Sequence, residues 1–134
     1  MPEKSPWEYT LHLPNDPRGV TVTRRALRLI LTLHGHITLV DVAELLTAEL
    51  VANAVQHTKG AVSVKISWSA GVARIGVWDA DPEPPDVPEG LAGELEESGR
   101  GMGLIQACAA SWGWRPMSRR GTRGKYVWCE LDAA

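Results

Sequence analysis

The sequence lacks several features that would place it in common classes of protein. It has no phenylalanine and only two cysteines among 134 residues. No apolar run approaches the ~20 residues needed to span a bilayer, no hydrophobic signal-peptide core follows Met1, and no Gly-Lys-Ser/Thr phosphate-binding pattern occurs. Because two cysteines are too few for a disulfide framework, we expect Cys108 and Cys129 to be reduced core residues of a cytoplasmic protein.

The chain also lacks a strong excess of charge of either sign. Fourteen Lys and Arg residues stand against sixteen Asp and Glu residues, a formal net charge of −2. This balance predicts no direct binding of nucleic acid and no attraction to an anionic membrane. The length fits one domain, residues 1–134, and a domain of this size buries roughly 70% of its unfolded surface.

The pattern of apolar residues predicts an α+β fold. Strands, helices and a loop alternate in the order β-α-α-β-β-loop-α-β-β, which indicates a two-layer sandwich with a mixed, mostly antiparallel sheet and the helices on one face. Thr38 and Asp41 resemble a capping pair that opens the second helix. The predicted strands span residues 7–13, 61–68, 72–78, 113–116 and 125–131, the first two helices span about 17–35 and 38–58, and the loop spans about 80–100.

The loop of about residues 80–100 is rich in proline and acidic residues, so no regular element is expected there. A loop of this length inside a compact domain is either functional or disordered. We interpret it as a lid.

A carboxylate and an amide share one face of the second predicted helix. Glu49 and Asn53 are four residues apart, so their side chains lie one turn from each other. Both stand at the edge of an apolar stripe, where a polar group is costly without a partner. Asn53 can supply an oxygen ligand to Mg²⁺, and Glu49 can accept a proton near a terminal phosphate. A surface helix that merely carries Glu and Asn is the alternative.

Three further features extend this set. Asp79 ends an apolar strand, where its carboxylate can accept a hydrogen bond from adenine or simply form a turn. The run Gly99-Arg100-Gly101-Met102-Gly103-Leu104 opens a helix whose amides can approach phosphates, although a flexible hinge is the alternative. His57 either lines the same pocket or is an ordinary helix-end histidine. Together these residues predict an ATP-binding domain.

Other patterns are weaker. The glycine run lacks the preceding strand and the spacing of a dinucleotide-binding fingerprint, so a Rossmann site is disfavoured. The basic turn of residues 118–124 is most simply a solvated hairpin, with docking of an acidic partner as the alternative.

Taken in order, the motifs resemble the bacterial anti-sigma factor and serine-protein kinase family of the GHKL (histidine-kinase-like) ATPase superfamily. The run Glu49-Leu50-Val51-Ala52-Asn53-Ala54 is similar to the family's N box, Val77-Trp78-Asp79 to the start of its G1 box, residues 99–104 to its G2 box, and Gly124-Lys125-Tyr126-Val127-Trp128 to its last box. The similarity runs from Leu13 onward and implies the Bergerat-type sandwich.

The resemblance implies roles and partners. Glu49 would be the general base, Asn53 the Mg²⁺ ligand and Asp79 the adenine-binding residue, with ATP and Mg²⁺ as cofactors. Family members bind a sigma factor as homodimers and phosphorylate a serine of a small anti-anti-sigma (STAS-type) protein, which frees the kinase to recapture sigma. The residues expected at the nucleotide are Glu49, Asn53, His57, Asp79, Gly99, Arg100, Gly101, Met102, Gly103, Leu104 and Thr122.

Two positions depart from the family's pattern. Asp81 stands where the family usually has glycine, and Tyr126 stands where it usually has a threonine that supports the adenine-binding aspartate, with Thr122 as an alternative hydroxyl. We expect these changes to alter nucleotide affinity rather than fold.

Two functions follow as hypotheses. The first is a Mg·ATP-dependent serine kinase, which Glu49 favours. The second is a nucleotide-gated adaptor that sequesters its partner without phosphoryl transfer, which the two departures leave open. A histidine-kinase fragment is disfavoured because no upstream helix carries a phosphoacceptor histidine.

Overall fold

A five-stranded sheet forms one layer of the protein. The computed structural model describes residues 5–85, 103, 105 and 108–132. The strands are β1 (Trp7–Leu13), β2 (Val62–Ser69), β3 (Val72–Asp79), β4 (Ser111–Pro116) and β5 (Lys125–Asp132). Their order across the sheet is β1-β2-β3-β5-β4, and each neighbouring pair is antiparallel. The predicted α+β class with a mostly antiparallel sheet is confirmed.

Two helices, α1 (Arg18–Leu33) and α2 (Val40–His57), form the second layer. The start of α1 is fixed by Asp16, whose Oδ1 accepts a hydrogen bond from the Arg18 amide at 2.9 Å. The predicted capping pair at Thr38 and Asp41 is wrong, because no side chain caps α2. A 3-10 turn, Ile37–Leu39, leads directly into the helix and satisfies the Leu39 amide through the His36 carbonyl at 3.0 Å.

The core lies between the layers because alternate residues of the strands point toward the helices. In β2 the inward residues Val62, Val64 and Ile66 are fully buried, and Leu46 and Val51 of α2 are equally buried against the sheet side. Burying each such side chain stabilises the fold by roughly 1.5–3 kcal/mol. This packing fixes α2 over the middle strands.

The two cysteines differ in environment. Cys129 is buried on the inward face of β5, as expected, and burial raises the pKa of its thiol to about 12. Cys108 is exposed, so its assignment to the core is wrong. The physical reason is that Ile105, not Cys108, fills the core position in this part of the chain.

Much of the predicted lid loop, residues 86–100, lies outside the described residues. Among the residues that are described, no helix is long and apolar enough to cross a membrane.

Candidate functional site

A cavity of about 260 Å³ opens between α2, the adjoining ends of β3 and β5, and the segment after β3. Six of its twelve lining residues are apolar and the other six are polar or charged, a mixture that is typical of small-molecule sites. The residues that line it are Leu50, Asn53, Ala54, His57, Val77, Asp79, Asp81, Glu83, Pro84, Pro85, Lys125 and Val127.

Helix α2 forms one wall of this cavity and contributes the amide group of Asn53. Asn53 and His57 are one turn apart and both line the wall, with Leu50 and Ala54 beneath them. Asn53 is half-buried and His57 is exposed. Glu49 lies one turn before Asn53 and is also half-buried, but it is not among the residues that line this cavity.

Asp79 ends β3 at the floor of the cavity and is only 3% exposed. Its Oδ1 atom accepts hydrogen bonds from the Asp81 amide at 2.9 Å and from Lys125 Nζ at 3.1 Å. Within the described chain, Oδ2 accepts no hydrogen bond. Burial raises the pKa of this carboxyl group, while the Asp81 amide and the Lys125 ammonium oppose the rise.

Lys125 is the site residue that sequence reasoning missed. Its side chain is 6% exposed, and Nζ also donates to the Asp81 carbonyl at 3.1 Å and lies 3.8 Å from Asp81 Oδ2. The sequence alone shows that Lys125 begins a strand directly after Gly124. It does not show that Lys125 pairs with Asp79, because that pairing follows only from the β3–β5 register. One buried cation therefore faces two carboxylates.

Asp81, which stands where the resembling family usually has glycine, is held in a defined position. Its amide donates to Asp79, and its own Oδ1 accepts from the Glu83 amide at 3.0 Å. These two successive turns, each closed by an aspartate side chain, guide residues 81–85 along the rim of the cavity. The Asp81 carboxylate is thereby directed toward Lys125.

Gly124 permits the close approach of β5 to this floor. A Cβ atom there would overlap the Asp79 carbonyl oxygen and would lie 2.8 Å from the Trp78 ring. Only glycine allows the backbone to pass at this distance. The Asp79–Lys125 pairing therefore depends on a residue without a side chain at position 124.

Two expected residues lie elsewhere. Tyr126 is on the opposite face of the sheet from Asp79, because neighbouring residues of a strand point to opposite sides. The bulky ring of Tyr126 therefore does not stand beside Asp79 in place of a hydroxyl group. The side chain that contacts Asp79 is that of Lys125. Thr122 is exposed in the β4–β5 turn, paired with Arg119, and does not line the cavity.

The end of α2 beside the cavity is anchored by Asn15. Its Nδ2 donates to the Thr58 carbonyl at 2.6 Å and lies 3.3 Å from the carbonyls of Val55 and Gly60. Helices leave their last carbonyls without partners, so this amide satisfies the end that carries His57. Sequence reasoning did not identify this contact, which joins residues 43 positions apart.

The glycine run is described only at Gly103, which is helical and half-buried. Gly99, Arg100, Gly101, Met102 and Leu104 lie outside the described residues. Of the residues predicted to bind the nucleotide, those that line the cavity in the described part of the chain are therefore Asn53, His57 and Asp79. Lys125 lines it as well and was not predicted.

This set of groups can do specific chemistry. The free Oδ2 of Asp79 can accept a hydrogen bond from an amine, the apolar wall of Leu50, Val77 and Val127 suits a flat ring, and Asn53 offers a neutral oxygen to a cation.

Comparison with known proteins gives two findings. Residues 13–128 match the family model described as a histidine kinase-like ATPase domain. The chain is also 44% identical over 61 residues to an uncharacterized protein of Streptomyces coelicolor, a stretch that is 46% of this chain and 54% of that protein. The match thus spans about half the length of this curated relative.

Proposed function

The chain belongs to the family of histidine kinase-like ATPase domains, and from this premise we propose that it is an anti-sigma regulatory factor that binds Mg·ATP and phosphorylates a serine of a small anti-anti-sigma (STAS-type) protein in the cytoplasm. The match to the family model supports ATP binding in general. The kinase activity and the partners are the further steps of the proposal.

The observation that carries the proposal is that Asn53 and Asp79, from different elements, line the same cavity. The Oδ2 atom of Asp79 is free of hydrogen bonds within the described chain, so it can accept one from the exocyclic amine of adenine. Burial of Asp79 and the ordered turn at Asp81 hold this acceptor in place. Guanine presents an acceptor at the equivalent position, so the site would favour ATP over GTP.

The remaining residues fit the phosphate end of a nucleotide. When bound, Mg·ATP supplies the transferable phosphoryl group and the metal that offsets its charge. Asn53 would hold the metal through its amide oxygen, and Glu49, one turn earlier on α2, would take the proton from the serine hydroxyl. His57 would contact the nucleotide from the last turn of the helix.

A homodimer and a sigma-factor complex belong to the same proposal. Apolar side chains exposed near the end of α1 support an interaction there, since Leu29 is 59%, Leu33 75% and Ile37 68% exposed. Leu45 on α2 is 42% exposed, whereas Val51 is fully buried and contributes only to the core. Light scattering with and without the partner proteins measures these states.

Transfer of labelled γ-phosphate from Mg·ATP to candidate STAS-type proteins tests the kinase function. We expect Glu49→Gln to lose transfer but keep ATP binding, and Asn53→Ala to lose the Mg²⁺ dependence of binding. Glu44→Gln is the matched control, because Glu44 lies on the same helix but pairs with Arg28 at 2.8 Å. Equal transfer by Glu49→Gln and the wild type would contradict the role of Glu49.

The second candidate function is a nucleotide-gated adaptor that sequesters its partner without phosphoryl transfer. The observation that favours it is the absence of Glu49 from the lining of the described cavity. ATP-dependent capture of a sigma factor, with no labelled product under any condition, would select this function over the kinase.

A further inference from the structure

The face of the sheet opposite the helices carries a second, larger groove of about 490 Å³. It is lined by residues of all five strands and of the β4–β5 turn, and it lies away from the cavity beside α2. We propose that this groove, which we call the arginine groove, binds an acidic segment of a partner protein through the guanidinium groups of Arg115 and Arg119.

The charge of the groove differs in sign from that of the chain. Its lining includes four cationic residues, Lys65, Arg74, Arg115 and Arg119, and one anionic residue, Glu8. When Glu130, which pairs with Arg74, is counted as well, the net value is +2, in contrast to −2 for the whole chain. A local cationic patch on an otherwise acidic protein raises the concentration of anionic groups at this face and at no other described cavity.

Aromatic rings hold the arginines in place. The guanidinium carbon of Arg115 lies 5.5 Å from the centre of the Tyr126 ring, and that of Arg119 lies 5.5 Å from the Trp78 ring. Stacking on a ring restricts a guanidinium group but leaves its edge N–H donors available. Each group is therefore arranged to bind a carboxylate through two hydrogen bonds.

Two of the cations in the groove are already neutralised. Arg74 pairs with Glu130 at 3.1 Å, and Lys65 lies 3.8 Å from Glu8. Within the described chain, Arg115 and Arg119 form no salt bridge. They are the donors that remain for an external anion.

The chemistry favours a polypeptide over a nucleic acid. Recognition of single-stranded nucleic acid on a sheet relies on exposed ring faces that stack with bases. Here Trp78 is 8% and Tyr126 is 7% exposed, with arginines above both rings. Carboxylates need only the free guanidinium edges, so Glu and Asp side chains of a partner fit the surface.

The test uses a fluorescein-labelled ten-residue peptide of alternating Glu and Gly, with a Gln and Gly counterpart as the neutral probe, and anisotropy as the readout. We expect the acidic peptide to bind, the neutral peptide not to bind, and added salt to weaken binding. Arg115→Gln/Arg119→Gln should weaken it about tenfold, because two exposed ion pairs of about 0.7 kcal/mol each are lost. Nucleotide is not required, so failure of the kinase proposal would leave this result unchanged.

Arg24→Gln/Arg25→Gln is the matched control, because it removes the same charge from exposed positions of α1. Circular dichroism establishes that both double variants fold. Absence of binding by the acidic peptide, or an equal loss in both double variants, would overturn the proposal. Tighter binding of a ten-nucleotide oligothymidylate, lost with Arg115 and Arg119, would also overturn it and assign the groove to nucleic acid.

Discussion

Replacing Lys125 by methionine should destabilise the protein in a way that depends on pH. Lys125 is the buried cation beside Asp79 and Asp81, and its Nζ makes two hydrogen bonds of 3.1 Å. Methionine is similar in length and fills the space, but it leaves Asp79, 3% exposed, without its charge partner. The variant therefore isolates the electrostatic contribution of the ammonium group.

The expected magnitude follows from the two ways in which Asp79 can respond. If Asp79 stays ionised, the variant loses the attraction between the two charges. A charge pair near 4 Å in an effective dielectric of ~20 is worth about 4 kcal/mol. Asp79 can instead become protonated, which costs roughly 4 kcal/mol at pH 7 and roughly 1.6 kcal/mol at pH 5 for a carboxyl group of ordinary pKa near 3.8. We expect a loss of about 2–4 kcal/mol at pH 7 and less than about 2 kcal/mol at pH 5.

The sign of the pH dependence follows from the pKa of Asp79. Burial raises this pKa in the folded protein, and removal of Lys125 raises it further. The folded variant then holds a proton that the unfolded chain releases, so its stability falls as pH rises from about 3.8 through the raised folded pKa. Urea unfolding at pH 5 and pH 7 measures the difference.

Two control variants sharpen the assay. Lys65→Met makes the same substitution in an exposed pair with Glu8, 3.8 Å apart, and should cost at most about 0.5 kcal/mol. Asp79→Asn/Lys125→Met removes both charges and should recover most of the loss. If Lys125→Met costs no more than Lys65→Met, or costs the same at pH 5 and pH 7, the assignment of Lys125 as the charge partner of Asp79 is wrong.

Three further predictions follow from single positions. The pKa of Asp16 is lowered to about 2 by its hydrogen bonds to Arg18. The melting temperature of Asp16→Asn should therefore lie below that of the wild type at pH 7, and the difference should close as pH falls from about 4 toward 2. A difference in melting temperature that stays constant with pH would contradict this prediction. A thiol reagent at pH 8 should modify Cys108 but not Cys129 in the folded protein, and both in denaturant, because only Cys108 is exposed; labelling of Cys129 in the native state would refute its burial. A Cβ at position 76 would overlap the Tyr126 ring, so Gly76→Ala should cost about 1–3 kcal/mol in urea unfolding, and clearly less in a Tyr126→Thr background; an unchanged cost there would show that the ring is not the obstacle.

Local patterns in the sequence were sufficient to predict the elements that carry the site. The four-residue spacing of Asn53 and His57 places them on one face of α2 because a helix repeats every 3.6 residues. The apolar run of residues 72–78 predicts a strand that ends at Asp79, and β3 does end at this residue. Both predictions needed only residues that are close in sequence. The confirmed sheet and helix layers follow from the same periodicities.

Tertiary structure alone decided which groups meet. Lys125 reaches Asp79 across 46 residues of chain, and the β3–β5 register sets that contact while turning Tyr126 to the opposite face. The same dependence explains why the exposure of Cys108 and the anchoring contact of Asn15 were not predicted. A periodic pattern shows which way a side chain points along its own element, but a one-residue shift in register exchanges the two faces of a strand. The sequence by itself therefore determined the helix and strand faces of this protein, and the pairing of strands determined the partners of the buried charges.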